Sequence, residues 1–331
     1  MQRFVNQPNF IVEDMLRGLV KANPEIEFCG ENDHVISMKK RKDNKVGVIT
    51  GGGSGHEPTF VGYLGEGMLD AVAIGEVFAS PPARVFYDAI VDADQGKGVA
   101  VLFGNYAGDN MNVKMAIQMA EDDNIDVRYV VANDDVASAP KVVKEQRHGI
   151  AGGFFMWKVG GAKAAQGAEL SEVIAAAKNV TDRTRSICVG LGSCTIPAVG
   201  HPNFKIQEDT MEFGVGHHGE AGMKVEPLKS ASEIAREMTE TILQDFEFNE
   251  EKELAVMVSG LGATPMMELY VLYDQVETVL KEHGHKIWKA YIGDFVTSLD
   301  MNGVSLTIVD LDEEIKELLL QTAEPIGMKN Y

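Results

Sequence analysis

Short apolar runs alternate with amphipathic stretches along this 331-residue chain, and that alternation restricts the fold more than any other feature. Residues 45–50, 71–74, 98–103 and 126–131 read as buried strands. Residues 12–20 carry Met15, Leu16 and Leu19 at helical spacing. Pro81-Pro82 opens a helix running to Ile90, since proline is tolerated in a first turn, and a further helix covers 110–121. Strands that alternate with helices imply a mostly parallel sheet covered on both faces. The Ala-rich stretch 152–180 has room for two helices. Beyond it the pattern changes: strands at 186–191, 211–215, 254–259, 286–291 and 304–309, with helices at 232–244 and 265–281. The expectation is an α/β protein of two α/β domains with mostly parallel or mixed sheets, 1–185 and 186–331.

Composition narrows the function. A net charge of −20 argues against nucleic acid, where Lys and Arg would have to neutralise phosphates. Three cysteines (Cys29, Cys188 and Cys194) form no paired framework and no CxxC, which points to a reducing, cytoplasmic setting. The N-terminus lacks the apolar core of a signal peptide, and no apolar run reaches the roughly 18 residues that a membrane span needs. Neither nucleic acid nor membrane is an expected partner.

Two clusters carry the chemistry. Gly214-Val215-Gly216-His217-His218-Gly219-Glu220-Ala221-Gly222 sets two histidines and an acid among four glycines. Glycine lets a backbone approach a ligand, and a nearly neutral imidazole can act as nucleophile or base. Neighbouring side chains on a strand point to opposite faces, so at most one of the two histidines should face a pocket. Adjacent imidazoles also make a poor metal pair, and no metal site is expected. Upstream, Gly51-Gly52-Gly53-Ser54-Gly55-His56-Glu57-Pro58 follows a strand, where parallel α/β sheets bind ligands. It is neither GxxxxGK[ST], GxGxxG nor GxSxG. In Gly104-Asn105-Tyr106-Ala107-Gly108-Asp109, the acid stands where a strand ends and a helix begins. There it can cap the helix, serve as a base, or do both. Two such Gly/His clusters suggest one site assembled by the fold. Asn133-Asp134-Asp135 reads as a loop.

Together these motifs resemble the substrate-binding K subunit of dihydroxyacetone kinases. The resemblance extends through Gly75-Glu76-Val77-Phe78-Ala79-Ser80-Pro81, Arg147 with Gly149-Ile150-Ala151, Cys194-Thr195-Ile196-Pro197, Leu261-Gly262-Ala263-Thr264-Pro265 and Thr297-Ser298-Leu299-Asp300-Met301. It implies that a histidine nitrogen, here on His218 in the second domain, adds to the C2 carbonyl of a short ketose and holds it as a hemiaminal. It implies that His56 and Asp109 are the acid/base pair at the accepting hydroxyl, and that the loop of Gly53, Ser54 and Gly55 meets substrate oxygens. It implies a homodimer with no cofactor of its own. ADP or ATP with Mg²⁺ would sit on a partner L subunit, recharged by a phosphotransferase-system carrier or using ATP directly. Two positions depart from the family's common pattern. Gly104 stands where many K subunits carry lysine, and Ala107 where threonine is frequent. That leaves room for a longer ketose such as erythrulose. Paralogues in the family bind dihydroxyacetone but act as transcriptional coactivators through a regulator, which is the alternative reading.

Overall fold

A computed structural model describes residues 3–202, 204–248 and 250–328. In chain order the elements are α1 (Ile11–Ala22), β1 (Ile26–Cys29), β2 (Asn32–Met38), β3 (Gly47–Ser54), β4 (Gly65–Glu66), β5 (Ala71–Val77), α2 (Ala83–Ala93), β6 (Val99–Gly104), α3 (Ala107–Asp122), β7 (Val127–Ala132), α4 (Gly153–Ala165) and α5 (Leu170–Asp182). Then come β8 (Thr184–Gly190), β9 (Thr210–Phe213), β10 (Lys224–Pro227), α6 (Ala231–Phe246), β11 (Glu253–Gly260), α7 (Met266–Glu282), β12 (Lys286–Gly293), β13 (Gly303–Asp310), α8 (Glu313–Leu320) and β14 (Glu324–Pro325). No helix among the described residues is long and apolar enough to cross a membrane.

The chain forms two compact units: Met1–Ala132 with Gly153–Val180 and Glu314–Tyr331, and Asn133–Gly152 with Thr181–Glu313. The expected single boundary at 185/186 lies beside one of the crossings, at 180/181. The others, at 132/133, 152/153 and 313/314, left no mark in composition.

The first unit is built on a six-stranded sheet of order β1-β2-β5-β3-β6-β7. Its pairs β5/β3, β3/β6 and β6/β7 are parallel, and β1/β2 and β2/β5 antiparallel. The pleat sorts β6: Val99, Val101 and Phe103 join the core with Phe86 and Ile90 of α2 and Val113 and Ala116 of α3. On the other face, Trp157 of α4 donates from Nε1 to the Leu102 carbonyl at 2.9 Å. Buried Lys158 donates to the Leu318 and Gln321 carbonyls, at 3.2 and 2.7 Å, at the C-terminus of α8. A cation there meets the negative end of the helix.

The second unit's sheet has the order β10-β9-β8-β13-β11-β12. Only β11/β12 is parallel, so this sheet is mixed and mainly antiparallel. Ile187, Val256 and Leu306 pack with Met238 and Ile242 of α6 and Leu272 and Val276 of α7. α6 opens on a capping box, with Ser230 and Glu233 satisfying each other's backbone N–H groups. Segment 133–152 is held by a buried triad. Asp245 of α6 accepts two bonds from Arg147, at 3.0 and 2.6 Å, and one from Arg185 Nε at 2.5 Å.

Candidate active site

The glycine cluster is a strand end. Gly51, Gly52 and Gly53 continue β3 and pair with Ala73, Ile74 and Gly75 of β5, so the turn begins only at Gly55, where φ is +100°. The expected loop is therefore shorter than the sequence suggested. A Cβ on Gly51 would lie 2.4 Å from the Phe86 ring, one on Gly52 2.2 Å from the Phe60 ring, and one on Gly53 2.6 Å from the Ala79 backbone nitrogen. These glycines admit close neighbours. Ser54 donates to the Gly75 carbonyl at 2.8 Å and is buried. The Gly55 N–H meets both Glu57 carboxylate oxygens at 3.1 Å. Burial raises the Glu57 carboxyl above its ordinary range, which that hydrogen bond only partly offsets.

His56 is 5 % exposed. Its ring stacks on Phe78, with centroids 5.0 Å apart and planes 23° apart, and meets Phe60 edge-on at 6.4 Å. Phe78 takes a left-handed φ of 58°, unusual for a bulky residue and worth attention beside a candidate catalytic group. Two residues on, Ser80 donates to Asp109 Oδ1 at 2.8 Å, and Asn112 donates to Ser80 Oγ at 3.2 Å and to the Pro81 carbonyl at 2.8 Å. The 78–80 turn after β5 thus touches both His56 and Asp109. Asp109 is the third residue of α3, and the cap position belongs to Tyr106, which supplies no side-chain cap. Asp109 therefore does not occupy the N-cap position.

In the second unit, β9 ends at Phe213 and the chain turns through Gly214 (φ +82°) and Gly219 (φ +85°). The turn closes with Gly219 N–H donating to the Gly216 carbonyl at 3.1 Å, and Gly216 N–H to the Glu220 carbonyl at 2.9 Å. A Cβ on Gly216 would sit 2.2 Å from Glu220 Oε2. The two histidines lie in the turn rather than on a strand and differ in burial. His217 is 3 % exposed, and burial, helped by the charge of His218, lowers its pKa to about 3. The His218 side chain is 26 % exposed. Its Nδ1 is 2.9 Å from Glu220 Oε1, and its backbone N–H donates to Oε2 at 2.9 Å. Burial pushes Glu220 up, but those hydrogen bonds and the His218 charge outweigh it and hold the carboxyl at about 2. The carboxylate stays ionised and fixes the ring's tautomer and direction.

Motifs far along the chain support this turn. Ser298 Oγ donates to the His217 carbonyl, Ser298 N–H to Leu261 O at 2.9 Å, and Thr195 N–H to Asp300 Oδ1 at 2.9 Å. Sequence reasoning gave no role to Ser80 or Glu220. The spacing His-Gly-Glu was the available signal for Glu220, while nothing local pairs Ser80 with Asp109. Asn133-Asp134-Asp135 is a loop, as read, but its two acids are buried. Asp134 accepts from the Ile150 and Gly152 N–H groups at 3.1 and 2.8 Å. Burial, with the Asp134 and Glu220 charges, takes Asp135 to about 7.

Imidazole with a carboxylate on Nδ1 is a nucleophile's arrangement, and a buried acid fixed by a hydroxyl suits proton transfer.

Residues 17–326 match the Dak1 domain. The chain is 40 % identical over 314 residues, 95 % of each protein, to the dihydroxyacetone-binding subunit DhaK of PTS-dependent dihydroxyacetone kinase 1 from Listeria innocua. It is 37 % identical to D-erythrulose kinase from Mycolicibacterium smegmatis, covering 99 % of this chain and 57 % of that protein. Among solved structures, the dihydroxyacetone kinase operon co-activator DhaQ superposes with a TM-score of 0.91 at 30 % identity, over 97 % of this chain and 99 % of that one. The chain belongs to the Dak1 domain family, and its resemblance to dihydroxyacetone-kinase K subunits runs through nearly its whole length.

Proposed function

We propose that this chain is the ketose-binding subunit of a dihydroxyacetone-type kinase. The observation that carries the reading is the His218–Glu220 pair. With Nδ1 engaged by Glu220, attack falls to Nε2, whose lone pair adds to the C2 carbonyl of the ketose. The carbonyl electrons move to oxygen, which takes up a proton from water, and Glu220 offsets the positive charge that develops on the ring. Glycerol offers hydroxyls but no carbonyl, so it cannot form the adduct. Capture holds the terminal hydroxyl in place and lowers the entropic cost of transfer. His56 and Asp109 move the proton of that hydroxyl as it accepts phosphate, and Gly53, Ser54 and Gly55 shape the pocket around the substrate oxygens. An L-type subunit with ADP or ATP and Mg²⁺ supplies the phosphoryl group, and the working protein is a cytoplasmic homodimer.

Gly104, half-buried at the end of β6, and Ala107, exposed at the start of α3, are smaller than the family's common lysine and threonine, which favours a four-carbon ketose beside Asp109. The likeness to a D-erythrulose kinase supports that reading. The likeness to DhaQ supports the rival reading, a coactivator that binds dihydroxyacetone and a transcriptional regulator without turnover. The deciding experiment supplies purified protein with an L-type subunit and its phosphoryl donor, and follows ketose phosphate from dihydroxyacetone and from erythrulose. Turnover of either sugar supports the kinase. No turnover with several active L subunits, alongside intact ketose binding, supports the coactivator.

A further inference from the structure

Three side chains of the first unit, none of them used above, converge from three elements: Glu13 in the first turn of α1, His34 on β2 and Glu76 near the end of β5. One ligand atom from each, an imidazole nitrogen and two carboxylate oxygens, lies within 4.8 Å of the other two. His34 is already oriented. Its Nδ1 sits 3.0 Å from the Ile74 carbonyl, and its backbone N–H donates to Asn32 Oδ1 at 3.0 Å. A carbonyl only accepts, so Nδ1 carries the proton and Nε2 is the basic nitrogen, the arrangement of a metal-ligating histidine held by a backbone carbonyl.

Glu13 Oε2 is sealed from solvent and has no hydrogen-bond partner. A carboxylate oxygen in that position is costly unless something neutralises it. Among the described residues, no hydrogen bond or ion pair joins these three side chains to one another. Two carboxylates this close repel, and among the described residues no ion pair with a cation answers them. A single divalent ion would satisfy the orphaned oxygen, the basic nitrogen and the paired negative charge together.

We propose that Glu13, His34 and Glu76 bind one first-row divalent cation of the zinc class. One imidazole with two carboxylates suits Zn²⁺, whereas Mg²⁺ and Ca²⁺ prefer oxygen ligands throughout. Glu76 is exposed, which gives the ion a route in and leaves a coordination position to water. The ion would tie α1 to β2 and to β5, two residues before Phe78, the ring on which His56 stacks.

The test uses the full chain stripped with chelator, titrated with Zn²⁺ by calorimetry and with Co²⁺ by visible absorption. The expected result is one ion per chain, bound at least about a hundredfold tighter than Mg²⁺, with visible Co²⁺ bands. Glu76→Gln and His34→Gln should each weaken binding at least about tenfold and abolish those bands, with an unchanged circular dichroism spectrum. Because Glu76 lies at the surface, Glu76→Gln decides the matter even if His34→Gln folds poorly. Unchanged affinity in Glu76→Gln, several weak ions per chain, or equal affinity for Mg²⁺ would overturn the proposal.

Discussion

The chemistry proposed for His218 depends on a residue two places away. Glu220 is held at about 2, well below the ordinary carboxylate value of 4.5, by its bonds to His218. A depressed folded pKa stabilises the protein fully above the unfolded value and loses that contribution as pH falls through the folded one. Glu220→Gln should therefore be less stable than wild type at neutral pH, and the gap should close between about pH 4.5 and 2. Melting temperatures of both proteins across that range check it; a constant gap would mean that the ionised Glu220 carboxylate does not hold the turn. The proposed function gives Asp109 a different step. Acid–base groups typically contribute about 10² to 10⁴ in rate, so Asp109→Asn should cut turnover by that order while ketose capture persists. Parallel loss of both, seen by comparing kcat with adduct formation, would make Asp109 a binding group. His218 and Asp109 drew notice as candidates because each stands in a short motif. Ser80 and Glu220 did not, because their roles exist only once a turn brings a hydroxyl or carboxylate onto a neighbour.

Among the elements, β3 shows where pattern reading stopped short. Its apolar part at 45–50 announced a strand, but glycine disfavours strands in general, so the cluster read as loop. What keeps Gly51 in the strand is the buried Phe86 ring and the Ala73 carbonyl, each within 2.8 Å of any added Cβ. Gly51→Ala should cost about 1–3 kcal/mol by overpacking, measured by denaturant unfolding. A neutral substitution would show that the sheet and α2 can part without penalty. Strands β1, β2 and β10 and helix α8 went unread for a related reason. The strands are short or half-exposed and are defined by pairing rather than periodicity, and α8 is a helix of only eight residues.

For the whole molecule, strand and helix alternation gave the α/β class, but not the path of the chain. Segment 133–152 belongs to the second unit although it lies between parts of the first. Its anchor, Arg147, meets Asp245 nearly a hundred positions later, and such a pairing leaves no local trace. Removing one member of a buried ion group leaves unpaired charge, at about 3–5 kcal/mol. Asp245→Ala should lose stability on that scale in denaturant unfolding, since it removes the carboxylate that Arg147 and Arg185 share. A loss below about 1 kcal/mol, the range of exposed pairs, would contradict the role given to the triad.

The central claim is that His218 captures the ketose covalently. The direct measurement is the ¹³C spectrum of dihydroxyacetone labelled at C2, mixed with wild type, His218→Ala and His217→Ala. The account predicts that wild type and His217→Ala convert the carbonyl resonance into that of a tetrahedral carbon, and that His218→Ala leaves the carbonyl signal unchanged. An adduct that survives in His218→Ala, or vanishes only in His217→Ala, would contradict it.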